Sequence, residues 1–282
     1  MRACSAPFPV RFHANESNLG STRNFEKAAA LCSGDLIAFS DQDDVWLPHK
    51  LERLEAEFLL RPEVGLVFSD AEVVDENLQP LGFGLWEQLG FNKDLRRGVT
   101  TRGRALDVLL PGWTVTGATM AFRSKFRSLA LTIPDDLPMI HDGWIALVVA
   151  AVSKVALIDE PLIKYRQHSG QQIGAPKTGP ARSETGLKDL DGIRTALLRS
   201  NSYEELLKIG DRVRLRLMDR CSHPESVAAL RRLDARLSHL RARARLPKSR
   251  LGRLGPVLRE LLTMRYYRYS NGIFSAIKDL VS

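Results

Sequence analysis

The stretch Leu36-Ile37-Ala38-Phe39-Ser40-Asp41-Gln42-Asp43-Asp44-Val45-Trp46-Leu47-Pro48 opens as an apolar run and closes with three carboxylates in four positions. Its first four residues read as a short buried strand. Carboxylates this close repel one another and raise each other's pKa. Two answers are open for why they follow a buried strand. As solvated loop acids they need no partner, and Asp44 would cap the helix that follows. As ligands, Asp41 and Asp43 stand two apart, and on extended backbone both side chains fall on one face. A hard divalent cation, Mg²⁺ or Mn²⁺, takes one or two carboxylates together with substrate phosphates. The strand before the acids and Trp46-Leu47-Pro48 after them favour the ligand reading.

Working outward, Ser21 to Cys32 predicts a helix with Phe25, Ala28, Ala29 and Cys32 on one face and Ser21 or Thr22 as its cap. Val10 to His13 predicts a strand ahead of it. Pro48 to Leu60 predicts a second amphipathic helix carrying Leu51, Leu54, Phe58 and Leu59, and Gly65 to Ser69 a further strand. This alternation implies an α/β fold with a mixed, mostly parallel sheet flanked by helices. Ligands of such sheets bind at the carboxyl ends of strands, where Asp41 and Asp43 sit. Farther on, Thr116 to Phe122 reads as a strand, and His141 and Asp142 precede an apolar helix from Trp144 to Ser153. Val155 to Ile158 and Pro161 to Tyr165 read as short β segments that lead into Arg166-Gln167-His168. The run APKTGPARSETG marks a linker. The expected organisation is a domain over 1–175, a linker over 176–186 and a helical, basic region over 187–282.

The composition, 44% hydrophobic and 26% charged, is that of a globular chain with a core. Three widely spaced cysteines, Cys4, Cys32 and Cys221, form neither a zinc pattern nor a disulfide framework, which suits a reducing compartment. The longest apolar run, Trp144 to Val152, is far short of the roughly 20 residues a spanning helix needs. The charge of +8 is uneven: residues 226–270 hold twelve Arg and Lys against Asp234 and Glu260, a net of +10, so the rest of the chain is near −2. The carboxylate region therefore carries no excess positive charge, which argues against a nucleic-acid channel. Within the basic region Leu230, Leu233, Leu237 and Leu240 form an apolar helical stripe among arginines. Such a helix either lies on an anionic membrane or packs on the preceding domain.

The segment NLGSTRNFEKAAALCSGDLIAFSDQDDVWLPHKLERL resembles the family 2 glycosyltransferases, and within them the rhamnosyltransferase-type enzymes of bacterial surface-polysaccharide synthesis. HDGWIALVVAAVSKVALIDEPLIKYRQHSGQQIGA and RYYRYSNGIFSAIKDL extend the resemblance in the same order. It implies a GT-A fold and inverting transfer from a nucleotide-diphosphate sugar to a saccharide or lipid-linked acceptor, on the cytoplasmic side, either free or peripheral to the inner face of the plasma membrane. It also implies that Asp43, with Asp41, ligates the metal, that Asp41 lies near the donor, and that Asp142 is the base, with His141 in a variable position beside it. Arg166 and His168 would contact the diphosphate or belong to a surface loop. Trp113 and Trp144 would line the acceptor pocket or belong to the core, and Asp142 by its position alone reads as a cap of its helix, an order that the motif context reverses.

Enzymes of this family open with two βα units whose loops hold the nucleotide, and the chain begins at what reads as the third strand. The expectation is therefore an N-terminally incomplete domain with an open sheet edge and weak donor binding. A non-catalytic binding or scaffolding protein that keeps part of the fold is the alternative. A metal-dependent phosphohydrolase would share the acids, but the chain shows no supporting nucleophile motif.

Overall fold

The computed structural model describes residues 8–101, 104–110, 114–168, 203–220, 224–270 and 272–281. A six-stranded mixed sheet forms the centre. Its strands are β1 (Leu36–Ala38), β2 (Val45–Trp46), β3 (Val64–Val74), β4 (Pro80–Gly84), β5 (Met120–Arg123) and β6 (Lys154–Arg166). They run β1-β5-β3-β6-β2, with β4 paired to β3. With helices on it, this is a GT-A-like α/β fold. The balance of pairings differs from expectation: β3 and β6 pair in parallel, while β1–β5, β5–β3, β6–β2 and β3–β4 are antiparallel. The two β segments expected over 155–165 are one strand, whose register against β3 shifts near Asp159 to Pro161. β3 is buried along most of its length, as a strand covered on both faces must be, whereas β6 is buried on either side of an exposed polar break over Asp159 to Pro161.

Helices α1 (Gly20–Leu31) and α2 (Lys50–Leu60) flank the first strand. The N-cap of α1 is Leu19, and Asn18 Oδ1 accepts the Gly20 N–H at 2.8 Å, so the expected Ser21 or Thr22 cap is absent. On α2 the buried face is Lys50, Leu54 and Phe58, spaced i, i+4, i+8, while Leu51 and Leu59 are exposed. The strand expected over Val10 to His13 is not formed; that segment has no ladder partner and leaves Phe8, Val10 and Phe12 in solvent. Short helices α3 (Leu85–Gln88), α4 (Lys93–Thr100), α5 (Ala105–Leu109) and α6 (Arg127–Ala130) lead to α7 (His141–Val152), which is buried along almost its whole length.

The basic region forms α8 (Tyr203–Arg220), α9 (Pro224–Ala244), α10 (Arg250–Leu262), α11 (Arg265–Tyr269) and α12 (Ile273–Val281). Leu206, Ile209, Val213 and Leu217 of α8 and Leu233, Leu237 and Leu240 of α9 belong to the same core as Trp144 to Ala151. The leucine stripe of α9 is thus packed inward and cannot be a membrane face. Gly210 makes this approach possible, since a Cβ there would meet Leu237 Cδ2 at 2.4 Å. The expected linker over 176–186 and the start of the helical region at 187 lie outside the described residues, as does Trp113.

Candidate active site

The acids at the end of β1 do not continue into a helix. Residues 45–46 pair with β6 and α2 starts only at Lys50, so Asp44 caps nothing. Instead Asp44 Oδ1 accepts the backbone N–H of Arg166 at 3.0 Å, while its Oδ2 is buried without a partner. Burial pushes the Asp44 carboxyl up to about 7; the Arg166 amide opposes this, and Asp41 and Asp43 add to it. Asp41 is raised as well, by burial first and then by Asp43. Asp43 Oδ2 lies 3.0 Å from His168 Nε2. Arg166 donates from Nε to the Asp43 carbonyl and from an Nη to the Glu76 carbonyl, both at 2.8 Å. Those donors tie the acid loop to the β3–β4 turn rather than reaching for a ligand.

A residue not singled out from the sequence answers part of the charge problem. Lys50 is fully buried, donates from Nζ to the Ala118 carbonyl at 2.6 Å and lies 3.8 Å from the centre of the Trp46 ring. Burial pulls its ammonium down to about 7, and Asp44 and Asp41 pull it back up. The signal for it was present: Lys50 stands four residues before Leu54 and eight before Phe58, on the buried stripe of α2, where a lysine is out of place unless paired.

Asp142 comes to the same place from the other side. It sits in the first turn of α7, whose N-cap is Ile140, and is buried. Its Oδ1 accepts the Gly143 N–H at 2.6 Å and its Oδ2 the Gly117 N–H at 2.9 Å. Burial pushes its carboxyl up to about 7, against those two amides, and Asp41 is the charge that adds to the shift. Tyr165 on β6 is raised by burial and then by Asp44, Asp41, Asp43 and Asp142 together. The four carboxylates thus share one electrostatic neighbourhood, although Asp142 lies about a hundred residues from the others in sequence.

His141 stacks on Phe25 with centroids 4.1 Å apart and meets Phe39 edge-on at 5.4 Å. Burial drops its pKa to about 4, and neither ring nitrogen has a partner. It is a neutral wall behind Asp142. Gly117 completes that wall, because a Cβ there would meet His141 Nε2 at 2.8 Å. Trp144 does not line a pocket: it is wholly buried and its Nε1 donates to the Ala130 carbonyl at 2.8 Å.

Among the described residues no three His, Cys, Asp or Glu side chains gather into a protein-only metal cage. The donors present are carboxylate oxygens, including an orphaned one on Asp44. That set fits a hard cation whose remaining positions are filled by phosphate oxygens and water.

Comparison with known proteins fits this arrangement. Residues 2–104 match the model of glycosyl transferase family 2. The matched segment includes β1, the three acids and Lys50. The chain is 27% identical over 206 residues to an uncharacterized glycosyltransferase of Nostoc sp., covering 72% of this chain and 60% of the relative. It is 26% identical over 87 residues to a UDP-Glc:alpha-D-GlcNAc-diphosphoundecaprenol beta-1,3-glucosyltransferase of Escherichia coli, covering 31% of this chain and 34% of the relative. The chain therefore spans less than two thirds of the length of either relative. The match to glycosyl transferase family 2 over residues 2–104 agrees with the resemblance read from the motifs.

Proposed function

We propose that this chain transfers a sugar with inversion from a nucleotide-diphosphate sugar to an acceptor hydroxyl. The observation that carries this reading is that Asp142 takes the Gly117 amide while Lys50, on which Asp44 and Asp41 act, takes the carbonyl of the next residue, Ala118, so the base and the acids flank one short segment. Asp142 is the proposed base. An inverting transfer is one in-line displacement: the new bond from the acceptor oxygen to the anomeric carbon forms as the bond to the diphosphate breaks. The acceptor proton goes to Asp142, whose oxygens each keep a lone pair beyond the Gly117 and Gly143 amides. A carboxyl raised to about 7 is matched to that task at neutral pH. His141 and its phenyl neighbours keep the base dry.

Asp43, with Asp41, would hold the divalent metal, which supplies charge neutralisation of the leaving diphosphate. His168 orients Asp43, and Arg166 fixes the loop that carries it. The motif resemblance favours rhamnose as the donor sugar, while the Escherichia coli relative is named for glucose transfer to a lipid-linked saccharide. A donor panel of nucleotide-activated rhamnose and UDP-glucose, with and without Mn²⁺, tests the reading. Metal-dependent donor binding that is lost in Asp43→Ala is expected. Donor binding that ignores both metal and Asp43 would overturn it and leave a non-catalytic binding protein.

A lipid-linked acceptor requires an approach to a bilayer, and with the α9 stripe buried, α10 and α12 supply the surface. Leu251, Leu254, Leu258 and Leu262 lie within one arc of α10 and are exposed, Leu251 by 83% and Leu262 by 77%. Ile273, Phe274, Ile277 and Val281 are exposed on α12. The two helices turn their other faces to a shared small core of Val257, Tyr266 and Ala276. Beyond residue 245 the two acids, Glu260 and Asp279, are both buried, while Lys248, Arg250 and Arg259 are exposed. Exposed leucines with a purely cationic surround suit an anionic membrane surface and disfavour a second copy of the same face. No helix among the described residues is long and apolar enough to cross a membrane. Co-sedimentation with phosphatidylglycerol vesicles should fall with salt and in Leu258→Glu/Leu262→Glu. Self-association through the same leucines, without vesicle binding, would overturn it.

A further inference from the structure

A second cationic centre lies away from the acids. A cavity of about 570 Å³ opens between α5, α9 and α11, and Arg104, Arg232 and Arg268 line it from three separate elements, with Tyr267 and Tyr269 beside them. Among the described residues the single carboxylate in its wall is Asp107, on which four guanidiniums act: Arg236, Arg104, Arg232 and Arg268. Arg236 is already committed. Its Nε lies 3.4 Å from Asp107 Oδ1, and it donates to the Tyr269 carbonyl at 3.0 Å. Once that pair is set aside, Arg104, Arg232 and Arg268 remain around one hollow as exposed cations with no ion pair of their own among the described residues. Like charges brought together from three elements repel, so their convergence calls for an anion of more than one charge. Guanidinium forks match phosphate oxygens, and tyrosine rings offer a flat face to a sugar ring or an alkyl chain.

We infer that this cavity is a binding site for a diphosphate-bearing ligand, separate from the donor site at Asp41 and Asp43. Naming the phosphate groups of a lipid-linked acceptor as its source rests on the sugar-transfer reading; the anion site itself does not. Met264, which lies two residues beyond the exposed Leu262 of α10, also lines the cavity, so its mouth borders the apolar surface assigned above to the bilayer.

The experiment uses the full chain in EDTA with the donor site silenced by Asp43→Ala, and inorganic diphosphate as the calorimetric probe. Saturable binding is expected, weakened about tenfold or more in Arg232→Gln/Arg268→Gln. Arg231→Gln, exposed on α9 but outside the cavity, should leave it unchanged, and Asp107→Asn should tighten it by removing the repelling charge. A second arm compares vesicles carrying phosphatidic acid with vesicles of equal charge made with phosphatidylglycerol. A preference for the phosphomonoester that disappears in the double variant assigns a lipid headgroup as the source, and soluble diphosphate binding alone assigns a free ligand. If diphosphate fails to bind and the vesicles show no arginine-dependent preference, or if the double variant behaves as its parent in both arms, the site does not exist. That result would leave metal-dependent donor binding at Asp43 untouched, so the two readings fail separately.

Discussion

Two buried polar regions of this molecule are built to opposite rules. Under α10 and α12 every charged group has its partners. His239 is within 2.7 Å of Glu260 Oε2 and 2.9 Å of Ser270 Oγ, and Arg243 grips both oxygens of Asp279, at 2.7 and 3.0 Å. The Tyr266 hydroxyl donates to Asp279 at 2.7 Å. Around the acids of β1 the opposite holds. Four of the six orphaned buried polar atoms among the described residues are Asp44 Oδ2, Trp46 Nε1 and the two ring nitrogens of His141. The remaining two are Glu57 Oε2, in contact with Arg61, and Arg236 Nε, near Asp107. A satisfied network fixes a structure. An unsatisfied one, with carboxyls pushed to about 7, costs stability and is kept where a ligand or a proton is handled.

The largest effect expected from breaking that contrast is on catalysis. Asp142→Asn keeps the shape of the side chain but cannot take the acceptor proton, so transfer should fall a hundredfold or more, on the order of a lost general base. Donor affinity should change far less than the rate, because Asp142 is not one of the proposed metal ligands. Turnover close to that of the parent would reduce Asp142 to a partner of the Gly117 and Gly143 amides.

The satisfied network should answer in stability alone. Asp279→Ala strands the buried guanidinium of Arg243 and the hydroxyl of Tyr266. A cost of about 3 kcal/mol is expected in denaturant unfolding, with donor binding intact. A donor site that weakens along with the fold would show that the two regions are not energetically separate.

Proton linkage separates them further. Asp44 has a folded pKa near 7 against 3.8 unfolded, so the folded chain holds a proton the unfolded chain has released. Its contribution is complete below about pH 4 and is lost as pH rises through 7. In metal-free buffer Asp44→Asn should therefore gain on its parent between pH 4 and pH 8, by about 1–2 kcal/mol once partial exposure is discounted. Asp142, raised in the same way, should give the proposed transfer a rising limb with its midpoint near pH 7. A stability gap that stays flat across that range would mean the Asp44 carboxylate is paired in solution.

Much of this architecture was legible from residue order, and the exceptions share a cause. The helices over α1, α2 and α7 and the strands β1 and β3 follow from local periodicity, while the strand expected from Thr116 starts only at Met120, after a 3-10 turn over Gly117–Thr119. The helix containing Leu230 to Leu240 was legible too, but the surface it faces was not, since an apolar stripe looks the same against a bilayer and against α8. Val10 to His13 has a strand's composition and lacks a neighbour to pair with. In the site, the three acids and Asp142 stood out by type and order. Their common neighbourhood, the Phe25–His141 stack and the bond from Lys50 to Ala118 depend on contacts between distant segments that no local pattern encodes.

The smallest effect expected is the most discriminating, and it concerns Lys50, where the two rules meet. Its ammonium is buried and bonded like a member of the satisfied network, yet it lies among the unsatisfied acids. Lys50→Met preserves the stem over Trp46 and removes the charge. Replacing a buried charge by an apolar side chain of similar length is often near neutral, here offset by the stranded Ala118 carbonyl, so stability should change by about 1 kcal/mol or less. The charge itself should matter more than the stability does. Without it Asp41 and Asp44 lose the cation that lowers their pKa values, so both become harder to ionise. Metal-dependent donor binding in Lys50→Met should then need a higher pH than in the parent, while its affinity at the alkaline end recovers. A variant whose donor binding has the parent's pH profile would place Lys50 with the structural network, as a tether for Ala118 and nothing more.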